Sequence, residues 1–97
     1  MKVVWSLLAI DRAEEEASFI AQDKPEAAAR WLENLFKVVD RLEMFPESGR
    51  TVPEISLPQY RQLSYKSHRV VYRIDPDTVA ILTVRRFKQL LHLSELE

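Results

Sequence analysis

The chain has 97 residues, 46% hydrophobic and 30% charged, with a net charge of −1. This length supports one two-layer core and not two, so a single domain over 1–97 is expected, and the composition excludes a disordered chain. The absence of cysteine removes disulfides, thiolate metal sites and cysteine nucleophiles together. With no membrane-spanning apolar run and an early turn to acidic residues, the expectation is a cytoplasmic protein without membrane contact.

In chain order, Lys2–Trp5 (KVVW) is a strand candidate and Ser6 is placed to cap a helix. Ile10, Ala13, Ala17 and Ile20 share one face of that helix, while Glu14, Glu15 and Glu16 mark a solvated face. Asp23-Lys24-Pro25-Glu26 signals a restart, with an Asx cap, an early proline and an acid three residues after the aspartate. Ala28, Trp31, Leu32, Leu35, Val38, Val39 and Leu42 then recur at three and four, which predicts a second helix to about Met44. The short gap makes the pair an antiparallel helical hairpin. Phe45–Arg50 holds the single glycine, Gly49, and with Pro53 and Pro58 reads as an ordered crossover loop.

Tyr60–Tyr65, His68–Asp75 and Thr78–Arg86 read as strands joined by turns at Lys66-Ser67 and Pro76-Asp77. Two tight turns in succession make an antiparallel meander, which the N-terminal strand is free to join. The expected fold is α+β, in the order β-α-α-β-β-β, with the helical hairpin packed on a small, mainly antiparallel sheet.

Charge is distributed unevenly. Residues 1–60 carry seven basic and eleven acidic side chains, residues 61–89 carry seven basic and two acidic, and the last eight residues add Glu95 and Glu97. The basic segment suggests an anionic or carboxylate-rich partner. With a two-residue loop at Pro76-Asp77, Ile74 faces Val79, Tyr72 faces Ile81 and Val70 faces Thr83. One sheet face then carries Val70, Tyr72, Ile74, Val79 and Ile81 as a core. The other combines Arg69, Val71, Arg73, Leu82, Val84 and Arg86, half apolar and half guanidinium, and reads as a partner-binding surface. The alternative is a patch covered by the tail from Phe87 to Glu97, whose leucines could fold back as a short helix. Arg61 reads as an edge residue that lays its stem along the core.

Little catalytic chemistry is signalled. One glycine cannot build a phosphate loop, and His68 and His92 are too few for a metal site, so no cofactor or metal is expected. His68 beside Arg69 supplies a general base next to an anion-stabilising arginine, the minimum for metal-free ribonuclease chemistry. A turn-flanking surface histidine is the simpler reading.

Four pieces, in this order and spacing, resemble the RelE/ParE superfamily of toxins from bacterial type II toxin–antitoxin systems. They are Pro46 with Gly49-Arg50, Tyr60-Arg61-Gln62-Leu63, His68–Ile74, and Ala80–Arg86. The resemblance implies a cognate antitoxin whose C-terminal segment wraps across the toxin as a hetero-oligomer, with a role in plasmid stabilisation. RelE-like members cleave mRNA on the ribosome, and that branch would place Arg69, Arg85, Arg86 and His68 in the site. The lysines of that pattern are replaced here by Tyr60 and Gln62, and FKQLLHLSELE supplies no C-terminal tyrosine. Arg61-x-Leu63 and the long second helix are more similar to the ParE branch, which poisons DNA gyrase. The expectation is a gyrase-directed toxin, with a ribosome-dependent mRNA endoribonuclease or a non-toxic antitoxin-binding member as the alternatives.

Overall fold

The computed structural model describes residues 1–96, so Glu97, the end of the predicted tail, lies outside them. Strand β1 (Lys2–Trp5) passes through Ser6 into helix α1 (Leu7–Ala21), and helix α2 (Pro25–Asp40) follows. Ser6 is the expected cap, its Oγ accepting the Ala9 N–H at 3.0 Å. The second helix starts otherwise than expected. Lys24 rather than Asp23 occupies the N-cap, with no side-chain bond, and Pro25 at the first position sets the start with its preformed φ. α2 buries Ala28, Trp31, Leu35 and Val39, and a 3-10 turn over Arg41–Glu43 carries it to Met44.

The described residues form one five-stranded sheet, completed by β2 (Arg50–Thr51), β3 (Tyr60–Tyr65), β4 (His68–Ile74) and β5 (Thr78–Arg86) in the order β1-β5-β4-β3-β2. β3, β4 and β5 are the predicted antiparallel meander. β1 joins β5 in parallel, and the helical hairpin covers one face, which makes the fold α+β. β2 falls inside the segment read as loop, where its two residues pair with Gln62 and Arg61.

The Pro76-Asp77 loop closes with the Asp75 N–H donating to the Thr78 carbonyl at 2.9 Å. Ile74 faces Val79 and Tyr72 faces Ile81, as the loop length requires, but Leu82 is then an extra residue on β5. Val71 consequently pairs with Thr83, and Val70 with Val84 instead of Thr83. Because side chains alternate with period two, one inserted residue reverses the facing of every residue after it. Val84 therefore turns into the core beneath the helices, 2% exposed. Arg85 takes the outer face and Arg86 the helix face. The bulge is satisfied from β1's end: the Ser6 N–H donates to the Ile81 carbonyl at 2.9 Å and Ser6 Oγ donates to the Leu82 carbonyl at 3.0 Å. One serine starts α1 and holds the distorted strand.

Two apolar layers result. On the helix side, Val70, Tyr72, Val79, Ile81 and Val84 pack with Ala9, Ala13, Trp31, Leu35 and Val39. Tyr65 adds a hydrogen bond, its Oη donating to the Trp31 carbonyl at 2.7 Å. On the outer side, Val71 and Leu82 pack with Val52, Leu91 and Leu96.

Gly49 joins the crossover loop to the sheet. Its φ of −78° and ψ of 163° are ordinary extended backbone, so what it supplies is space. A Cβ there would sit 2.5 Å from Tyr72 Oη and 2.7 Å from the Gln62 carbonyl oxygen. Tyr72 Oη accepts the Gly49 N–H at 3.0 Å and donates to the Pro46 carbonyl at 2.7 Å. Arg61 reinforces the same loop with its guanidinium, through Nε to the Pro58 carbonyl at 2.8 Å and Nη1 to the Gly49 carbonyl at 3.1 Å. Gly49→Ala is expected to destabilise the fold by about 1–3 kcal/mol in urea unfolding, from overpacking. Tyr72→Phe should not rescue it, since the Gln62 carbonyl clash is backbone and stays.

Candidate partner-binding surface

Arg69 and Arg85 are direct cross-strand partners on the outer face, a placement that is repulsive between like charges. Each guanidinium is matched by a carboxylate from a different covering segment. Arg69 Nη1 and Nη2 donate to Glu54 Oε1 and Oε2 at 2.9 and 2.5 Å, and Nη1 also donates to Gln62 Oε1 at 3.0 Å. Arg85 Nε and Nη2 donate to Glu95 Oε1 and Oε2 at 2.9 and 2.8 Å. Glu95 further accepts from Thr83 Oγ1 and from the His92 N–H, each at 3.0 Å. Arg69 and Glu95 are each only 5% exposed. Forked, charge-assisted bonds of this kind are the stronger class. The hydrogen bonds from Arg69 lower the Glu54 pKa from 4.5 to about 2. For Glu95, burial works upward, but Arg85, the His92 N–H and Thr83 outweigh it and leave the carboxyl below its ordinary value.

Four of the six predicted partner residues, Arg69, Val71, Arg73 and Leu82, stand on the outer face; Val84 and Arg86 do not, because the bulge turns them to the helix side. The face is also closed rather than open. Val71 and Leu82 are buried under Val52, Leu91 and Leu96, so the tail-covered alternative describes the free chain. The short helix expected in the tail is a 3-10 turn over Leu93–Leu96, and Phe87, Leu90 and Leu93 remain exposed. Arg73 lies further along β4, paired with Asp75 at 2.8 Å.

The four residues of the ribonuclease alternative, Arg69, Arg85, Arg86 and His68, are divided between the two faces. Arg69 and Arg85 lie outside. On the helix side, Arg86 Nη2 reaches Glu16 Oε2 at 3.3 Å and its guanidinium lies over the Phe19 ring at 5.2 Å. His68 is buried, edge-on to Trp31 at 5.3 Å. Its Nε2 is 2.9 Å from Glu16 Oε2, off the ring N–H direction. A sheet separates the histidine from Arg69 and Arg85, so the base and the anion-stabilising arginines do not converge on one substrate atom. Among the described residues, no group of three His, Cys, Asp or Glu side chains is placed to hold a metal ion.

Glu54 and Glu95 were missed as site residues. Their signal was their charge: acids in the flanking loop and tail, opposite in sign to the basic strands. A carboxyl whose pKa is lowered on folding contributes stability above its ordinary pKa and loses it as pH falls through the folded value. Glu54→Gln should therefore cost about 1–2 kcal/mol at neutral pH, after screening of a partly exposed group, with the gap closing between pH 4.5 and about 2. Urea midpoints for both proteins across that range measure it.

The family model described as "ParE toxin of type II toxin-antitoxin system, parDE" matches residues 3–91, which run from β1 to Leu91 and stop short of the Leu93–Leu96 turn. A curated relative from Sinorhizobium fredii (strain NBRC 101917 / NGR234), named "Putative toxin Y4kP", is 35% identical over 88 residues, covering 91% of this chain and 90% of that protein. Among solved structures, the fold matches a chain of the chromosomal ParDE system from P. aeruginosa with a TM-score of 0.76, at 19% identity over 89% of this chain and 95% of that one. It also matches the toxin–antitoxin complex RelBE2 from Mycobacterium tuberculosis (TM-score 0.55, 22% identity, 88% and 95% covered). The YoeB dimer from Staphylococcus aureus is similar too (TM-score 0.60, 13% identity, 92% and 98% covered). The structural matches establish a shared fold; with a family model that covers both helices and all five strands, and a sequence relative matched along nearly its whole length, the chain belongs to the ParE toxin family of type II toxin–antitoxin systems.

Proposed function

We propose that the chain arrests growth by binding DNA gyrase and is held silent by a cognate antitoxin that occupies the outer face of the sheet around Arg69, Val71, Arg73 and Leu82. The observation that carries the choice of target is the division of the ribonuclease candidates. Cleavage of RNA by side chains alone needs a base and charge-stabilising groups within reach of the same phosphate. Here His68 and Arg86 are on the helix side of the sheet, both within reach of Glu16, while Arg69 and Arg85 are held by Glu54 and Glu95 on the opposite face. A protein that acts by occupying a partner has no such geometric requirement. The P. aeruginosa structural neighbour belongs to a ParDE system, which supports the same branch and an antitoxin as partner.

Expression of the chain alone is expected to stop DNA replication first, with gyrase–DNA cleavage complexes accumulating, and coexpression of the antitoxin should restore growth. Codon-phased cuts in ribosome-bound mRNA, without trapped gyrase, would contradict the gyrase assignment. Normal growth with folded protein present would count against any toxic activity and leave antitoxin binding alone.

A further inference from the structure

We propose that the tail segment Leu91–Leu96 is a resident stand-in for the antitoxin, so that the Arg85–Thr83 cradle is a carboxylate-binding site and the partner binds by lifting the tail away and supplying its own carboxylate and apolar side chains. This inference rests on the proposed binding of an antitoxin to the outer face, and it names the chemistry of the segment bound there.

The cradle is a built site. The Glu95 side chain is 5% exposed and is gripped by Arg85 Nε and Nη2 and by Thr83 Oγ1. Arg12 Nε approaches from α1 at 3.8 Å, and it is buried without a hydrogen-bond partner. Glu95 thus pairs with Arg12 by charge alone and makes no hydrogen bond to its Nε, a bond that a differently placed carboxylate can form. A buried donor without a partner is costly, and a ligand that satisfies it gains accordingly.

The two carboxylates that balance the Arg69–Arg85 pair are attached differently. Glu54 follows Val52, whose N–H donates to the Tyr60 carbonyl at 3.2 Å, beside the β2–β3 pairing. Glu95 lies on a segment that adds no strand to the sheet. The backbone bond of its turn is local, from the Glu95 N–H to the His92 carbonyl at 3.0 Å. Leu90 and Leu93 are 78% and 70% exposed, which leaves Leu91 and Leu96 as its apolar anchors. The tail is thus the cover that can leave. Its departure leaves Arg85, a partly buried guanidinium opposite another arginine, without its counter-charge. Exchange of one carboxylate for another restores it. The recognised segment is accordingly a peptide with an acidic residue next to a leucine-sized side chain, and a second apolar residue some five positions away.

A tethered occupant lowers apparent affinity by the fraction of chains that are open. Antitoxin binding to the full chain is thus expected to tighten about tenfold in Glu95→Gln and to weaken at least tenfold in Arg85→Gln. Unchanged or weaker binding by a folded Glu95→Gln variant would overturn the stand-in role. Because the chain has no cysteine, a Leu96→Cys variant reports opening directly. The introduced thiol should label slowly in the free protein and at least tenfold faster with saturating antitoxin. Amide exchange of residues 91–96 in the unsubstituted chain checks that the reporter has not itself loosened the tail, and exchange there should also rise in the complex. A complex in which thiol and amides stay protected would overturn this inference alone. Failure of the unsubstituted chain to form any complex would overturn the antitoxin reading and this inference with it.

Discussion

Ser6 donates both its backbone N–H and its hydroxyl to consecutive carbonyls of β5, at Ile81 and Leu82. Those two bonds hold a strand that carries one residue more than its neighbour. The consequence reaches both faces of the sheet. Before Leu82 the alternation follows the Pro76-Asp77 loop, and after it each side chain is on the other side. Val84 completes the core, Arg86 meets Glu16 of α1, and Arg85 is brought beside Arg69. The serine that does this also caps α1, so helix placement and strand register are set at one point. An N-terminal strand parallel to β5 is what brings Ser6 there.

The paired arginines explain the covering segments. A net positive run in strands β3 to β5 first suggested an external acidic partner. In the free chain that demand is met internally, by Glu54 from the loop and Glu95 from the tail. The Arg69 and Glu95 side chains are almost fully enclosed, and both carboxyl groups are held below their ordinary pKa. Apolar contact through Val52, Leu91 and Leu96 shields Val71 and Leu82 at the same time. A partner for this face has to match both properties, charge and greasiness, in the same segment.

The helices and the meander were legible because their signals are local. Spacing of three and four placed α2, Pro25 fixed its start, and the two-residue loop at Pro76-Asp77 fixed the register as far as Ile81. The bulge was not legible. Ala80-Ile81-Leu82-Thr83-Val84 is uniformly suited to a strand, with no glycine or proline to mark an insertion, and the groups that satisfy it are some seventy-six residues away in sequence at Ser6. That single omission misplaced Val84 and Arg86 in the predicted surface. β2 is two residues long, too short to show a period. The tail could be read either way, because its leucines fit a cover and its acids fit a solvated end; pairing with Arg85 decides between them, and pairing is a property of the folded chain.

The face on which each late β5 arginine lies is the claim on which the rest depends, and side-chain NOEs in the free protein test it most directly. The account predicts contacts from Arg85 to Thr83 and the Glu95–Leu96 turn, and from Arg86 to the Phe19 ring on α1. Contacts of the Arg86 side chain with the Glu95–Leu96 turn and of the Arg85 side chain with the Phe19 ring would mean an unbulged strand, and would contradict it.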